Sequence, residues 1–216
     1  MSTLPLSVRL VGLPVVGVGA GRVAAAKLLP MVDGGARVTV VAPHASRAIA
    51  QLADGDRLTW HRRTWTEADL DGAMLVVAGT DDAEVNAAVV AAATARGTLS
   101  IRVDAEGEGS ADVAAAVRRG PLTIAVATGG NAPALAARLK EELGAAYGPE
   151  WGELAAIYGE LRRDPDVRAA LSGCSADQRR QRWRALPVTD ILRLIRTGRR
   201  LEAKRVASAC LSSSSD

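Results

Sequence analysis

Phenylalanine is absent from the chain, and its aromatic content is four tryptophans and two tyrosines in 216 residues. Hydrophobic residues still make up 48%, enough to bury a core. Cysteine is nearly absent. Cys174 and Cys210 lie far apart and outside any paired motif, which excludes a CxxC redox site and a cysteine-rich zinc cluster. The two histidines, His44 and His61, exclude a multi-histidine metal cage. Any metal chemistry would fall to carboxylates or to a substrate's own nitrogens. No apolar run approaches the roughly 20 residues that span a bilayer, so no membrane association is expected. The start, Met1-Ser2-Thr3-Leu4-Pro5, lacks the basic residues and cleavage site of a secretory signal, so a cytoplasmic location is expected. Charge of one sign is also lacking. A net +3 is too mild to argue for nucleic acid. Arginines do gather near the C-terminus (Arg179, Arg180, Arg182, Arg184, Arg193, Arg196, Arg199, Arg200). They read as a solvated helix face or as a patch for a polyanionic small molecule.

What is present begins with Val15-Val16-Gly17-Val18-Gly19-Ala20-Gly21-Arg22-Val23-Ala24. A short apolar run stops at glycines and an Ala/Leu-rich helical segment follows at once. This is the pattern of a strand turning into a helix whose N-terminus receives a diphosphate. Gly19 suits the tight turn, Gly21 leaves the backbone open to the anion, and Ala24 lets the helix sit close to the strand. Free N–H groups and the positive end of the helix dipole do the binding.

The first half alternates strands and helices. Strands are expected at Val8–Val11, Val15–Val18, Arg37–Val41, Leu58–Arg62, Ala73–Ala78 and Leu99–Val103. Helices are expected at Val23–Val32, Ser46–Leu52 and Asp82–Arg96. That alternation implies right-handed crossovers and a parallel sheet. A ligand then lies beyond the carboxyl ends of the strands. Four segments project there: Gly19–Arg22, Val41-Ala42-Pro43-His44, Gly79-Thr80-Asp81-Asp82 and Val103-Asp104. The acidic residue that often ends the second strand and grips ribose is missing. Backbone groups at Pro43-His44 are candidates for that work, whereas Arg22 or Arg47 would suit a 2′-phosphate, so these residues leave NAD and NADP open. After Asp104 the texture changes. Residues 106–110 read as a loop, Val113–Arg119 as helical and Leu122–Ala127 as a strand. Thr128-Gly129-Gly130-Asn131-Ala132-Pro133 is a second glycine-rich turn, and Ala134–Leu143 is an amphipathic helix. Residues 150 to 207 read as three or four helices, with Tyr158 and Trp151 or Trp183 anchoring a small core. Ser212–Ser215 reads as a disordered serine tail.

Read together, these segments resemble the precorrin-2 dehydrogenase / sirohydrochlorin ferrochelatase family, the NAD-dependent part of sirohaem synthase. The likeness runs from Leu4-Pro5 to about Arg200. It is carried by Gly19-Ala20-Gly21-Arg22-Val23-Ala24 with Lys27, and by Gly79-Thr80-Asp81-Asp82 with Val85-Asn86. Arg119-Gly120-Pro121-Leu122 and Thr128-Gly129-Gly130 with Pro133 complete it. The resemblance implies an α/β fold: a Rossmann-like parallel sheet, then a dimerisation segment and a small C-terminal helical domain. The expected division is 1–112 for NAD binding, 113–148 for dimerisation, 149–210 for the helical domain and 211–216 for a disordered tail.

The resemblance further implies oxidation of precorrin-2, a tetrapyrrole with eight carboxylates, to sirohydrochlorin. A hydride passes to NAD and a proton is lost. Asp104 is the implied catalytic residue, taking that proton. Some family members also insert ferrous iron, and there Asp104 is the implied transient metal ligand. Cofactor-binding candidates are Gly19, Gly21, Arg22, Val23, Pro43, His44, Thr80 and Asp81. Substrate-binding candidates are Thr128, Gly129, Gly130 and Asn131, with Arg118, Arg119 and Arg138 as charge partners. A homodimer is implied, with the cleft where two chains meet. The chain departs from the family pattern around Asp104: Ile101 stands for an asparagine, Glu106 for a proline, and Ala111 and Ala114 for a Phe…Pro pair. Two alternatives therefore stay open, a dehydrogenase without chelatase activity and a non-catalytic tetrapyrrole- or nucleotide-binding homologue. No methyltransferase region occurs in these 216 residues, so this chain is not expected to make precorrin-2 itself.

Overall fold

The computed structural model describes residues 3–105 and 107–212. The chain forms two compact units. One comprises the N-terminal residues to Ala114 together with Ala127–Pro133, and the other Ala115–Val126 together with the residues from Ala134 onward.

The first unit is a five-stranded parallel sheet. Its strands are β1 (Pro14–Val18), β2 (Arg37–Val41), β3 (Thr59–His61), β4 (Leu75–Ala78) and β5 (Leu99–Arg102), in the order β3-β2-β1-β4-β5. Its helices are α1 (Arg22–Asp33), α2 (Arg47–Asp54) and α3 (Ala83–Ala95), with a single 3-10 turn at Glu67–Leu70. The unbroken apolar runs of β1 and β4 follow from burial on both faces. Val15 and Val77 join Leu28, Val38, Val40, Ile49 and Ile101 on one face. Val16, Val18, Val76 and Ala78 join Leu70, Val89, Ala92 and Ala93 on the other. Strand side chains alternate, so one run of valines serves two cores. Gly17 is a packing glycine, since a Cβ there would meet Leu28 Cδ1 at 2.7 Å. The register Gly17↔Val40 and Gly17↔Val77 aligns the strand ends, so the connections after β2, β1, β4 and β5 emerge along one rim.

The strand expected at Val8–Val11 does not form. Both edges of β1 are occupied by β2 and β4, which leaves the segment just before it no ladder to join. Val8 is 55% and Val11 81% exposed, and Leu13 N–H donates to the Leu10 carbonyl in a turn into β1. Only Leu10 packs against the core.

In the second unit, Ala115–Arg119 is a strand, β6, and not the expected helix. It pairs antiparallel with β7 (Leu122–Val126), Arg119 opposite Leu122. The two-residue connection is Gly120-Pro121, and Gly120 takes φ +53°, which glycine adopts without strain. The alanines of this segment favour helix locally, but the hairpin overrides a preference worth tenths of a kilocalorie per residue. Helix α4 (Pro133–Ala146) follows. Five further helices occur among the described residues instead of three or four: α5 (Pro149–Arg163), α6 (Pro165–Ala170), α7 (Ala176–Arg184), α8 (Val188–Arg196) and α9 (Arg200–Ser212). Pro165 opens α6 and separates it from α5. Asp164 ends α5 and caps α6, its carboxylate accepting from the N–H groups of Asp166 and Val167. Ser175 and Gln178 form a capping box that starts α7. Leu154, Ile157, Leu161, Ile191, Leu192, Ala203 and Ala207 make the core, with Trp151, Tyr158 and Trp183 packed on it. Leu211 is fully buried, so α9 takes in the first two residues of the expected tail. Residues 213–216 and Glu106 lie outside the described residues. No helix of the described residues is long and apolar enough to cross a membrane.

Candidate functional site

The rim at the carboxyl ends of β2, β1, β4 and β5 gathers all four segments expected there. Gly19 adopts φ +97°, and a Cβ on it would lie 2.4 Å from the Gly79 carbonyl oxygen. Here glycine is compulsory, because the β1 and β4 connections touch backbone to backbone. Gly19 N–H donates to the Val41 carbonyl at 3.0 Å, tying the turn to β2. Ala24 then packs against Gly79, where a Cβ would approach its own Cβ to 2.8 Å. The small residue expected at 24 does bring the helix close.

Gly21 differs in kind. It is the N-cap of α1 with φ −68° and ψ 179°, extended backbone open to any residue. A Cβ there would meet nothing within 4 Å. No side chain caps α1 and no acid stands in its first turn. The exposed Arg22 and Val23 belong to that first turn, whose N–H groups have no partner inside the helix. The protein therefore presents an open, uncapped, positively polarised helix end. This geometry fits the diphosphate of a dinucleotide, and the space beside Gly21 is free to receive it.

At the end of β2, Pro43 and His44 are exposed and carry no carboxylate, as the sequence suggests. A residue the sequence reading missed stands next to them. Ser46 donates its backbone N–H to the Ala20 carbonyl at 2.8 Å, while its buried hydroxyl has no partner. It occupies the N-cap of α2 without capping it. An unpartnered hydroxyl against the glycine turn is placed for a ribose hydroxyl or a phosphate oxygen. Sequence shows only a serine before a helix, which reads as a cap.

At the end of β4, Thr80 is locked in place by a residue that the sequence reading named only as part of a motif. Asn86, fully buried in α3, accepts from Thr80 N–H at 2.9 Å through Oδ1 and donates Nδ2 to the Thr80 carbonyl at 3.1 Å. Thr80 Oγ1 lies 2.8 Å from the same amide oxygen and accepts from Asp82 N–H at 3.2 Å. The hydroxyl therefore shapes the turn. Asp81 is exposed beside it, and Asp82 caps α3.

Asp104 stands two residues beyond the end of β5, and its carboxylate is held by Arg102. Arg102 Nε donates to Oδ1 and Nη2 to Oδ2, both at 3.0 Å. The same guanidinium reaches Glu108 Oε2 at 2.5 Å and the Ala83 carbonyl at 3.1 Å. The Arg102 hydrogen bonds, helped by its charge and the Asn86 amide, hold Asp104 below the ordinary carboxylate range. Two of the departures noted in the sequence prove to be core substitutions. Ile101 is buried among the valines of the sheet, and Ala111 packs beside it. The loop is stitched back onto β5 by Ala111 N–H to the Ser100 carbonyl at 2.9 Å and by Ser100 N–H to Ser110 Oγ at 2.9 Å.

The Thr128 turn belongs to the same unit, and Gly107, beyond Asp104, lies against Gly129. Thr128 accepts from Asn131 N–H through its carbonyl at 3.1 Å and from Ala132 N–H through its hydroxyl at 3.3 Å. Asn131 Nδ2 returns to the Thr128 carbonyl at 3.0 Å. These groups build the turn. Gly129 and Gly130, both at positive φ, are left with free N–H groups among the described residues. Of the charge candidates in the second unit, Arg119 is structural, bonded to the carbonyls of Tyr147 and Gly144. Arg138 pairs with Glu142, and Arg118 is exposed. Among the described residues, no group of three or more His, Cys, Asp or Glu side chains is placed to hold a metal ion.

Residues 6–115 match the family model described as "Putative NAD(P)-binding", and residues 119–146 match "Sirohaem biosynthesis protein central". Siroheme synthase 1 of Aeromonas salmonicida is 36% identical over 192 residues, covering 89% of this chain and 40% of its own length. Siroheme synthase of Methylococcus capsulatus is 35% identical over 206 residues, covering 95% of this chain and 43% of its own. The chain thus spans less than half the length of these relatives. The solved structure of SirC, a precorrin-2 dehydrogenase, shares the fold with a TM-score of 0.67 at 24% identity, covering 97% of this chain and 98% of that one.

Proposed function

The chain belongs to the NAD(P)-binding family whose model spans residues 6–115, and on that premise we propose that it oxidises precorrin-2 to sirohydrochlorin with NAD in sirohaem biosynthesis. The observation that carries the proposal is the shared rim: an uncapped helix end at Gly21 and a fixed carboxylate at Asp104 on connections of one sheet, with the β4 connection between them. The relatives' names supply the substrate class.

Gly21, Arg22 and Val23 hold the diphosphate by backbone N–H groups, and Gly19 gives the turn its shape. Ser46, Pro43 and His44 face the adenosine ribose. Thr80 and Asp81 border the nicotinamide side, where Asn86 holds the turn rigid. When bound, the nicotinamide supplies the hydride acceptor. Asp104 receives the proton released in the same oxidation. It is a weak base, but loss of hydride leaves the macrocycle electron-poor and its departing proton acidic, so a weak base suffices. Gly129 and Gly130 offer N–H donors to a substrate carboxylate, and the segment 113–148 joins two chains into a homodimer in the cytoplasm.

The test is anaerobic incubation of the protein with precorrin-2 and NAD, read as NADH absorbance, with NADP in parallel. Asp104→Asn, nearly isosteric and unable to take the proton, is expected to lose roughly 10²–10⁴-fold in rate while binding NAD normally. An Asp104→Asn protein that turned over at the unaltered rate would remove Asp104 from the chemistry. Preference for NADP would reassign Arg22, Arg47 and Ser46 to a 2′-phosphate.

A further inference from the structure

Arg102 is the unusual feature of the site. It stands two residues before Asp104 and is only 11% exposed. All three guanidinium nitrogens are engaged at once. They reach Asp104 on the strand end, Glu108 on the following loop and the carbonyl of Ala83 at the start of α3. Surface pairs in this chain, such as Arg138–Glu142, are exposed on both sides and cost little to break. The Arg102 fork is instead fixed from three elements, with both oxygens of Asp104 matched to it.

A hard divalent cation needs carboxylate lone pairs that are free to turn toward it, and usually several oxygen ligands. Asp104 and Glu108 would form such a pair of acids, but one guanidinium lies between them, bonded to both, and offsets one of their two negative charges. Among the described residues, the other acids nearby in sequence do not complete a cation site. Asp82 uses Oδ1 to cap α3. Asp81 and Glu84 on the same turn and helix, and Asp112 on the loop, join no cluster of three among the described residues. Iron arriving at Asp104 would have to displace Arg102 or settle beside a fixed positive charge.

We infer that Arg102 is a positioning residue that dedicates Asp104 to proton transfer and closes the site to ferrous iron, so that this chain oxidises the tetrapyrrole without inserting metal. The inference rests on the reading of Asp104 as the acid of the dehydrogenation site. It also places the chain in a sequence of reactions. Metal insertion displaces two N–H protons from the macrocycle, and a protein that speeds it must ligate the metal. Insertion into the metal-free product faster than the uncatalysed rate therefore falls to a separate metal-inserting catalyst.

The experiment supplies sirohydrochlorin with cobaltous or ferrous ion to the full chain and compares the rate of insertion with a protein-free control. Cobalt affinity is measured separately from the visible absorption of the bound ion. The unaltered chain is expected to match the control. Arg102→Gln leaves Asp104 and Glu108 facing one another without a cation, and should bind cobalt at least about tenfold more tightly. Arg102→Lys, which keeps the charge and loses the fork, should stay closed to cobalt. Insertion above the control by the unaltered chain, abolished in Asp104→Ala, overturns the inference. A folded Arg102→Gln protein with unchanged cobalt affinity overturns the role given to Arg102. Should NADH fail to form from precorrin-2 in the same preparation, the dehydrogenase reading fails instead, while the cobalt comparison keeps its meaning.

Discussion

Replacing Gly21 by alanine separates the cofactor site from the fold that carries it. The backbone at Gly21, with φ −68° and ψ 179°, is open to alanine, and the new Cβ would meet no protein atom within 4 Å. Two small terms act on stability. Restricting the unfolded chain contributes about 0.4–1 kcal/mol in favour of alanine, and alanine at an N-cap costs about 0.5–1 kcal/mol relative to glycine. They nearly cancel, so urea unfolding should give a midpoint within about 1 kcal/mol of the unaltered protein and the same slope. Dinucleotide binding should respond differently. On the proposed placement the methyl group would stand where the diphosphate approaches the N–H groups of Arg22 and Val23, and a charge-assisted hydrogen bond of that kind contributes about 1.5–3 kcal/mol. Losing one raises the Kd for NAD roughly 10- to 150-fold. Isothermal titration with NAD measures it. Gly19→Ala is the contrasting variant. Its φ of +97° and a Cβ only 2.4 Å from the Gly79 carbonyl oxygen should destabilise the protein itself, by roughly 1–3 kcal/mol from backbone strain before the overlap is added. If Gly21→Ala bound NAD with the unaltered affinity, the diphosphate would not lie at this turn and the assignment of the rim would be wrong.

Asn86→Ala removes a buried side chain that satisfies both the N–H and the carbonyl of Thr80. It should cost about 2–4 kcal/mol in urea unfolding. NAD affinity should weaken with it as the turn loosens, and an unchanged midpoint would show that Thr80 does not depend on Asn86. Asp69 is held at about 2 by the Arg63 guanidinium, with the Thr66 N–H adding to it. A carboxyl at about 2 in the folded protein against an ordinary 3.8 contributes up to about 2 kcal/mol, and less in practice because Arg63 is half exposed. Because the folded value is the lower one, this stability is complete above about pH 5 and is lost as pH falls toward 2. The gap in stability between the unaltered protein and Asp69→Asn should therefore shrink between pH 5 and about pH 2.5, followed by urea midpoints. A gap that stayed constant would refute the pairing.

The sheet, its parallel sense and the rim were legible because they depend on local pattern. Val15–Val18 and Met74–Val77 are apolar without interruption, glycines follow β1 and β4 at once, and helical stretches separate the strands. Each is a property of adjacent residues. Two expectations failed where the deciding partner is distant. Val8–Val11 has strand-like composition, but β2 and β4 already fill both edges of β1. Ala115–Arg119 has helix-like composition, but β7 offers it a ladder across a turn that Gly120 permits. Pro165 and the Asp164 cap, by contrast, were present in the sequence as signals for an extra helix boundary.

The residues proposed for the site divide in the same way. Gly19, Gly21 and Asp104 could be found from sequence, because a turn of defined φ and an acid at a strand end are written in neighbouring letters. The two-residue spacing of Arg102 and Asp104 was a usable signal, since alternate residues of an extended chain share a face. That the arginine also reaches Glu108 and Ala83 was not readable, nor was the unpartnered hydroxyl of Ser46 beside Ala20, nor the hold of Asn86 on Thr80. A side chain's charge and hydrogen-bonding capacity come with its identity. Whether that capacity is satisfied, idle or shared depends on which distant segments the packed sheet sets around it, and only the tertiary structure decides that.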